Sequence, residues 1–173
     1  MPLSMYQASV PTFVQILTAL SGVLDKAQAF AAAKKCDPGV LLAARLAPNM
    51  FALTQQVQIA CDFAKGATAR LAGTEVPSWP DHEKTFAELQ QRIKKTTDFV
   101  QTFKASQIDG SEERDVKLSV GGQPVTFKGQ PYLIHFVLPN FYFHATTAYV
   151  ILRHNGVELG KRDFVGAVPG MGS

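Results

Sequence analysis

The chain has 173 residues, 46% of them hydrophobic and 18% charged, and a formal net charge of +3. That length and apolar content suit one domain with a buried core, and they exclude disordered and collagen-like classes. The basic residues fall in scattered pairs, Lys34-Lys35, Lys94-Lys95 and Lys161-Arg162, without a basic stripe or a nucleic-acid-binding motif, so nucleic acid is not an expected partner.

In chain order, Phe13, Ile16, Leu17, Leu20, Leu24, Ala27, Phe30 and Ala31 recur at steps of three and four and predict a long first helix. Pro11 fits its first turn behind Ser9, where no amide bond is lost. Asp37 and Pro38 restart the chain in a short helical turn through Leu41, Leu42 and Leu46. A second long helix follows Pro48-Asn49, with Met50, Leu53, Val57, Ala60, Ala64, Ala67 and Leu71 on one side; its small residues permit close approach by a neighbour. Gly73 and Pro77-Ser78-Trp79-Pro80 form a loop, and Asp81 is placed to cap a third helix bearing Phe86, Leu89, Ile93, Val100 and Phe103, supported by a Glu88–Arg92 pair.

From 115 to 128 the period drops to two. Val116, Leu118 and Val120 precede Gly121-Gly122, then come Val125 and Phe127, which reads as a β-hairpin with a two-residue turn. Two strands are not stable alone, so the Leu118 and Phe127 face must pack on the helices or on another subunit. The last regular element runs from about Pro131 to His154, closes at Asn155-Gly156 and leaves an irregular tail from about 157 to 173. Four long amphipathic helices with one hairpin before the last predict an all-α four-helix bundle, a single domain over 1–173. Cys36 and Cys61 stand apart, as free thiols of a reducing compartment do. The first thirty residues lack the features of a signal peptide, and no run approaches the apolar length of a membrane span; the expectation is a cytoplasmic protein with no membrane partner.

Among the four histidines, His82 reads as a solvated helix-start residue and His154 as a last-turn cap, whereas His135 and His144 lie in an aromatic segment, 132–149, that holds six of the seventeen aromatic residues. Leu138, Phe141, Tyr142, Ala145, Tyr149 and Leu152 form its core stripe, with Asn140, His144 and Ile151 on the flank. Pro139 cannot donate its amide, so the helix either restarts there or bends and frees the His135 carbonyl. On the second helix Gln56 lies on the apolar side. Asp62 lies off it and reads as a surface partner for Lys65 or Arg70. No P-loop, G-x-S-x-G, H-E-x-x-H or Rossmann fingerprint occurs.

The run from Leu138 to Val157, together with Met50-Phe51, Gln56-Val57, Asp62, Gly129-Gln130-Pro131-Tyr132 and Gly160-Lys161-Arg162-Asp163-Phe164, resembles an uncharacterised domain-of-unknown-function branch of the DinB/YfiT-like superfamily along nearly the whole chain. The resemblance implies up-down-down-up connectivity and a homodimer. In the metal-binding members one histidine comes from the second helix and two from an H-x-x-x-H pair on the last. Here the pair reads Asn140-x-x-x-His144 and the second helix has no histidine, offering Gln56, Gln58 and Asp62. A carboxamide is a poor ligand for zinc or nickel, the divalent metals the resemblance implies, and one imidazole does not supply the three ligands of a catalytic zinc site. The leading expectation is a small-ligand-binding bundle using His144, Asn140, Gln56, Asp62 and Tyr142. A metal-dependent enzyme related to the DinB-like thiol S-transferases, and a structural or partner-binding dimer, are the alternatives.

Overall fold

The computed structural model describes residues 3–171; the outermost residues of the predicted domain, 1–2 and 172–173, lie outside the described residues. The first helix, α1 (Met5–Lys34), begins earlier than the periodicity indicates, because Ser4 and Gln7 form a reciprocal capping box. Pro11 therefore lies inside the helix, and Ser9 is buried and gives its hydroxyl to the Met5 carbonyl at 2.7 Å. Contrary to the sequence expectation, α1 is long and apolar enough to cross a membrane, yet half of its apolar window is buried inside the protein, as a bundle's core helix requires.

Helix α2 (Pro38–Leu42) is capped by Asp37 and stops short of Leu46. Helix α3 (Leu53–Ala72) starts after Met50, since the chain through 43–52 is a loop tied to α2 by Leu53 N–H donating to the Ala44 carbonyl and Thr54 Oγ1 to that of Leu42. Helix α4 (Phe86–Gln101) is capped by Thr85, not Asp81, and ends before Phe103. Glu88 accepts from the Lys84 and Thr85 amides, so its carboxylate is spent at the cap and does not pair with Arg92.

A single turn, α5 (Ala105–Ile108), leads into β1 (Asp115–Val120) and β2 (Gln123–Lys128), antiparallel with Val116 opposite Phe127 and Leu118 opposite Val125. Gly121 and Gly122 have φ of 57° and 80°, the pair of positive angles a tight hairpin turn demands. Phe127 packs on Phe136 with centroids 5.3 Å apart, which seats the ribbon on the bundle as its two strands require. The predicted last helix is in fact three joined pieces: α6 (Gly129–Pro131), a π-helical stretch (Tyr132–Val137) and α7 (Leu138–His154). The widened turn lies just ahead of Pro139, whose missing amide cannot make the α-helical bond to the His135 carbonyl, and the Leu138 amide donates five residues back to the Leu133 carbonyl. The tail expected to be irregular contains a short helix, α8 (Lys161–Val165), started by Asp163 accepting from the Gly160 amide.

Side-chain pairs fix the directions. Phe13 meets Phe141 and Phe30 lies beside Gly156, so α1 and α7 run parallel. Early α1 meets Asp109 through the Tyr6 amide and late α1 meets Gln90 through Asp25, so α4 runs against α1. Gln56, Phe63 and Arg70 face His144, Phe136 and Tyr132 in reverse order, so α3 runs against α7. The connectivity is up-down-down-up.

Arg92, with only 2% of its side chain exposed, locks the 73–85 loop onto α3 and α4. It reaches Asp62 and Asp81 at 2.9 Å and Glu83 at 3.1 Å, and donates to the Pro80 carbonyl. Burial works against its charge, but Asp62 and Glu83 outweigh that and hold it protonated. Trp79 closes the loop, with the Lys65 and Lys95 ammonium groups 4.6 and 4.4 Å from its ring centre. Replacing Arg92 by Ala should cost ~3–5 kcal/mol in urea unfolding, because Glu83 is left desolvated without its partner, whereas Asp62→Asn, at a half-exposed carboxylate, should cost below ~1 kcal/mol. Cys36 is exposed and Cys61 buried, and burial pushes the Cys61 thiol up to about 12. A disulfide reagent should therefore titrate Cys36 alone in the native protein and both thiols after unfolding.

Candidate functional site

On α3, Gln56 and Phe63 are seven residues apart and so share the face turned to α7. His144, six residues into α7, meets both. Its Nδ1 lies 2.7 Å from Gln56 Oε1, its ring stacks on Phe63 with centroids 6.0 Å apart, and Phe143 meets it edge-on at 5.2 Å. Gln56 Nε2 donates to the Phe51 carbonyl at 3.1 Å, which orients the amide and presents Oε1 to the imidazole. Because that oxygen can only accept, the network assigns the proton to Nδ1 and the lone pair to Nε2.

Burial lowers the His144 pKa from its ordinary 6.5, which keeps the ring neutral at physiological pH. Among the described residues Nε2 has no hydrogen-bond partner, and it is not one of the enclosed polar atoms left without one. The result is an oriented, uncharged imidazole with an open acceptor nitrogen. It can take a hydrogen bond from a ligand, or a proton.

The other predicted residues divide. Asn140 lies one turn before His144, but its amide donates to the Phe136 carbonyl at 2.7 Å, closing a backbone group in the widened π-helical turn. Tyr142, expected in the core stripe, is 38% exposed and flanks Phe141 from outside, because the buried arc of α7 is turned toward Ala148 and Ile151; Ile151, expected on the flank, is fully buried. Asp62 points to the α4 side of α3, where its half-exposed carboxylate pairs with the expected Lys65 at 2.7 Å and with Arg92, both of them buried and not at the surface, and it is not part of the His144 cluster. Arg70 instead donates to the Tyr132 hydroxyl at 3.1 Å. His82, His135 and His154 are exposed. Sequence reasoning missed Phe63 and Phe51. The signal for Phe63 was available, since it lies one heptad after Gln56.

Of the three α3 residues that stand where the resemblance implies a histidine, Gln58 turns to Glu83 and Asp62 to Arg92, which leaves Gln56 with Asn140 and His144, one imidazole and two carboxamides. The Gln56 oxygen is held by the imidazole itself, and the Asn140 amide by a backbone carbonyl. Among the described residues no three His, Cys, Asp or Glu side chains converge on a point where a metal ion could be held. This donor set does not fit a three-ligand zinc or nickel centre.

A bundle of this connectivity, with a hairpin ahead of the last helix and a histidine at the α3/α7 seam, is a DinB-like protein. More particularly, the chain belongs to the family described as a domain of unknown function, DUF1993, which matches residues 5–165. It is similar to the crystal structure of a DinB family member protein from Shewanella denitrificans, with 43% identity and a TM-score of 0.86 over 97% of this chain and 95% of that one. No curated protein matches it.

The lowered His144 pKa has a defined sign. Above about 6.5 neither folded nor unfolded chain holds the proton; as pH falls below 6.5 the unfolded chain takes it up first, so stability drops. Urea midpoints measured from above 6.5 to well below it should fall less steeply in His144→Gln than in wild type.

Proposed function

We propose that this DinB-like protein binds a small neutral or weakly acidic molecule at the α3/α7 seam, read by the open Nε2 of His144, and that it does so without a resident metal. The observation that carries the reading is the pairing of a neutral, tautomer-fixed imidazole with aromatic surface. Phe63 stacks on the ring, and Phe143, 56% exposed, meets it edge-on beside the Gln56 amide. An oriented acceptor beside two aromatic rings suits a molecule that has one hydrogen-bond donor and a flat apolar body. The rival, a metal-dependent thiol transferase, needs two further strong ligands where this chain has Gln56 and Asn140.

Elemental analysis of protein purified without chelator separates the readings, combined with a thermal-shift screen of small molecules on wild type, His144→Gln and His144→Ala. A true ligand at about a hundred times its Kd should raise the wild-type Tm by ~5–10 °C and lose that shift in His144→Gln. His144→Ala should in addition cost ~1–3 kcal/mol, since Gln56 loses its partner. Stoichiometric zinc or nickel that disappears in His144→Ala would overturn the proposal in favour of the enzyme.

A further inference from the structure

On the outer face of α1, away from His144, a groove of about 700 Å³ lies between that helix and the C-terminal segment through α8. This is the size of a small-molecule site. Its far wall is pinned to α1 at three points. Gln15 Nε2 donates to the Val165 carbonyl at 2.9 Å, Lys26 pairs with Asp163 at 2.7 Å, and Gly166, at φ 66°, sits so close that a Cβ there would come within 2.9 Å of the Ala19 Cβ. The groove is thus preformed, and a ligand would not have to order its walls.

The floor is apolar, built from Val10, Val14, Ala19 and Gly22 with Ala167 and Pro169 opposite. Gly22 is informative. A glycine inside a helix costs about 1 kcal/mol relative to alanine, and a Cβ at this position would meet nothing within 4 Å, so packing does not require it. What the glycine provides is depth in the groove. Charge is confined to Lys26, Arg162 and Asp163. Lys26 is neutralised by Asp163, whose carboxyl is held below its usual range by hydrogen bonds from Lys26 and the Gly160 amide. Among the described residues Arg162 has no carboxylate partner, so the groove has an apolar floor and one uncompensated guanidinium.

We propose that this groove binds an amphipathic monoanion, an apolar chain ending in a carboxylate, with the chain over Gly22 and the carboxylate on Arg162. A guanidinium matches a carboxylate in two parallel hydrogen bonds, and a single excess positive charge matches a single negative one. A second copy of the chain is the poorer occupant, because a stable dimer needs about 800 Å² of surface on each partner and this feature is a narrow trough.

Isothermal titration of the full chain with decanoate, 1-decanol and decyltrimethylammonium tests the proposal. Wild type should bind decanoate at micromolar concentration, decanol more weakly and the cation least. Arg162→Gln should weaken decanoate about tenfold and leave decanol unchanged. Gly22→Leu, which fills the trough while improving the helix, should abolish binding of both, with Gly22→Ala and far-UV circular dichroism confirming an intact fold. His144→Gln should bind decanoate as wild type does, which separates this site from the seam. The proposal is overturned if decanoate needs millimolar concentration, if Arg162→Gln binds it unchanged, if His144→Gln abolishes binding, or if sedimentation shows a wild-type dimer that Gly22→Leu dissociates.

Discussion

The constraint on which this structure turns is the enclosure of α3. Ala60, Ala64, Ala67 and Ala69 are fully buried along it, and so are the larger Leu53, Val57 and Leu71, because α1, α4 and α7 all close on this one helix. Small side chains make that approach geometrically available. They also leave the helix's polar residues no solvent to face. Gln56, Gln58, Lys65 and Thr68 are all buried, and an unpaired polar group inside a protein costs about 1–3 kcal/mol. Each has found a partner: Gln56 in His144 and the Phe51 carbonyl, Gln58 in Glu83, Lys65 in Asp62 and the Trp79 ring, and Thr68 in the Ala64 carbonyl.

Two different local chemistries follow from that requirement on the two sides of the helix. Toward α4 the partners are charged. Glu83 would be pushed up by burial, but hydrogen bonds from Gln58 and Arg92 hold its carboxyl below the usual range, so the cluster under Trp79 stays ionic and rigid. Toward α7 the partners are neutral: an amide and an imidazole whose protonation burial disfavours. A metal centre at that seam would need anionic or imidazole donors from α3, and an α3 carboxamide already bonded at both ends supplies neither. The α3 carboxamide that makes a poor metal ligand is the same group that orients the imidazole.

The helical wheel carried most of the architecture and part of the seam. The step pattern from Phe13 to Ala31 and from Leu53 to Leu71 located both long helices, and the glycine pair at 121–122 located the hairpin, because periodicity and turn geometry are local properties of the chain. The inward placement of Gln56 followed from the same wheel. What escaped were decisions made by competition between local groups. Asp81 and Thr85 are both good caps, and Thr85 wins because Glu88 completes its box; Asp81 is then free to join Arg92. Arg92 has three acidic candidates in space that no spacing rule connects, at positions 62, 81 and 83. Tyr142 stays outward because the fully buried arc of α7 is centred on Phe141, Ala148 and Ile151, a direction fixed by which helices close on α7 and not by its own periodicity.

The position of the α1 groove follows from the same packing logic carried one layer outward. With α4 on one side of α1 and α7 on another, the third face is left to whatever chain remains after the bundle is complete, and here that is the segment from Gly160 to Pro169. A segment of five helical residues cannot cover a thirty-residue helix. Where it does touch, it is held by a backbone carbonyl, an ion pair and a glycine. Where it does not, α1 presents Val14, Thr18 and Gly22 instead of the charged residues a solvated helix face ordinarily has. The seam at His144 and the trough at Gly22 are therefore independent consequences of one bundle: the first arises where a buried helix had to satisfy its polar groups, the second where an apolar helix face was left only partly covered.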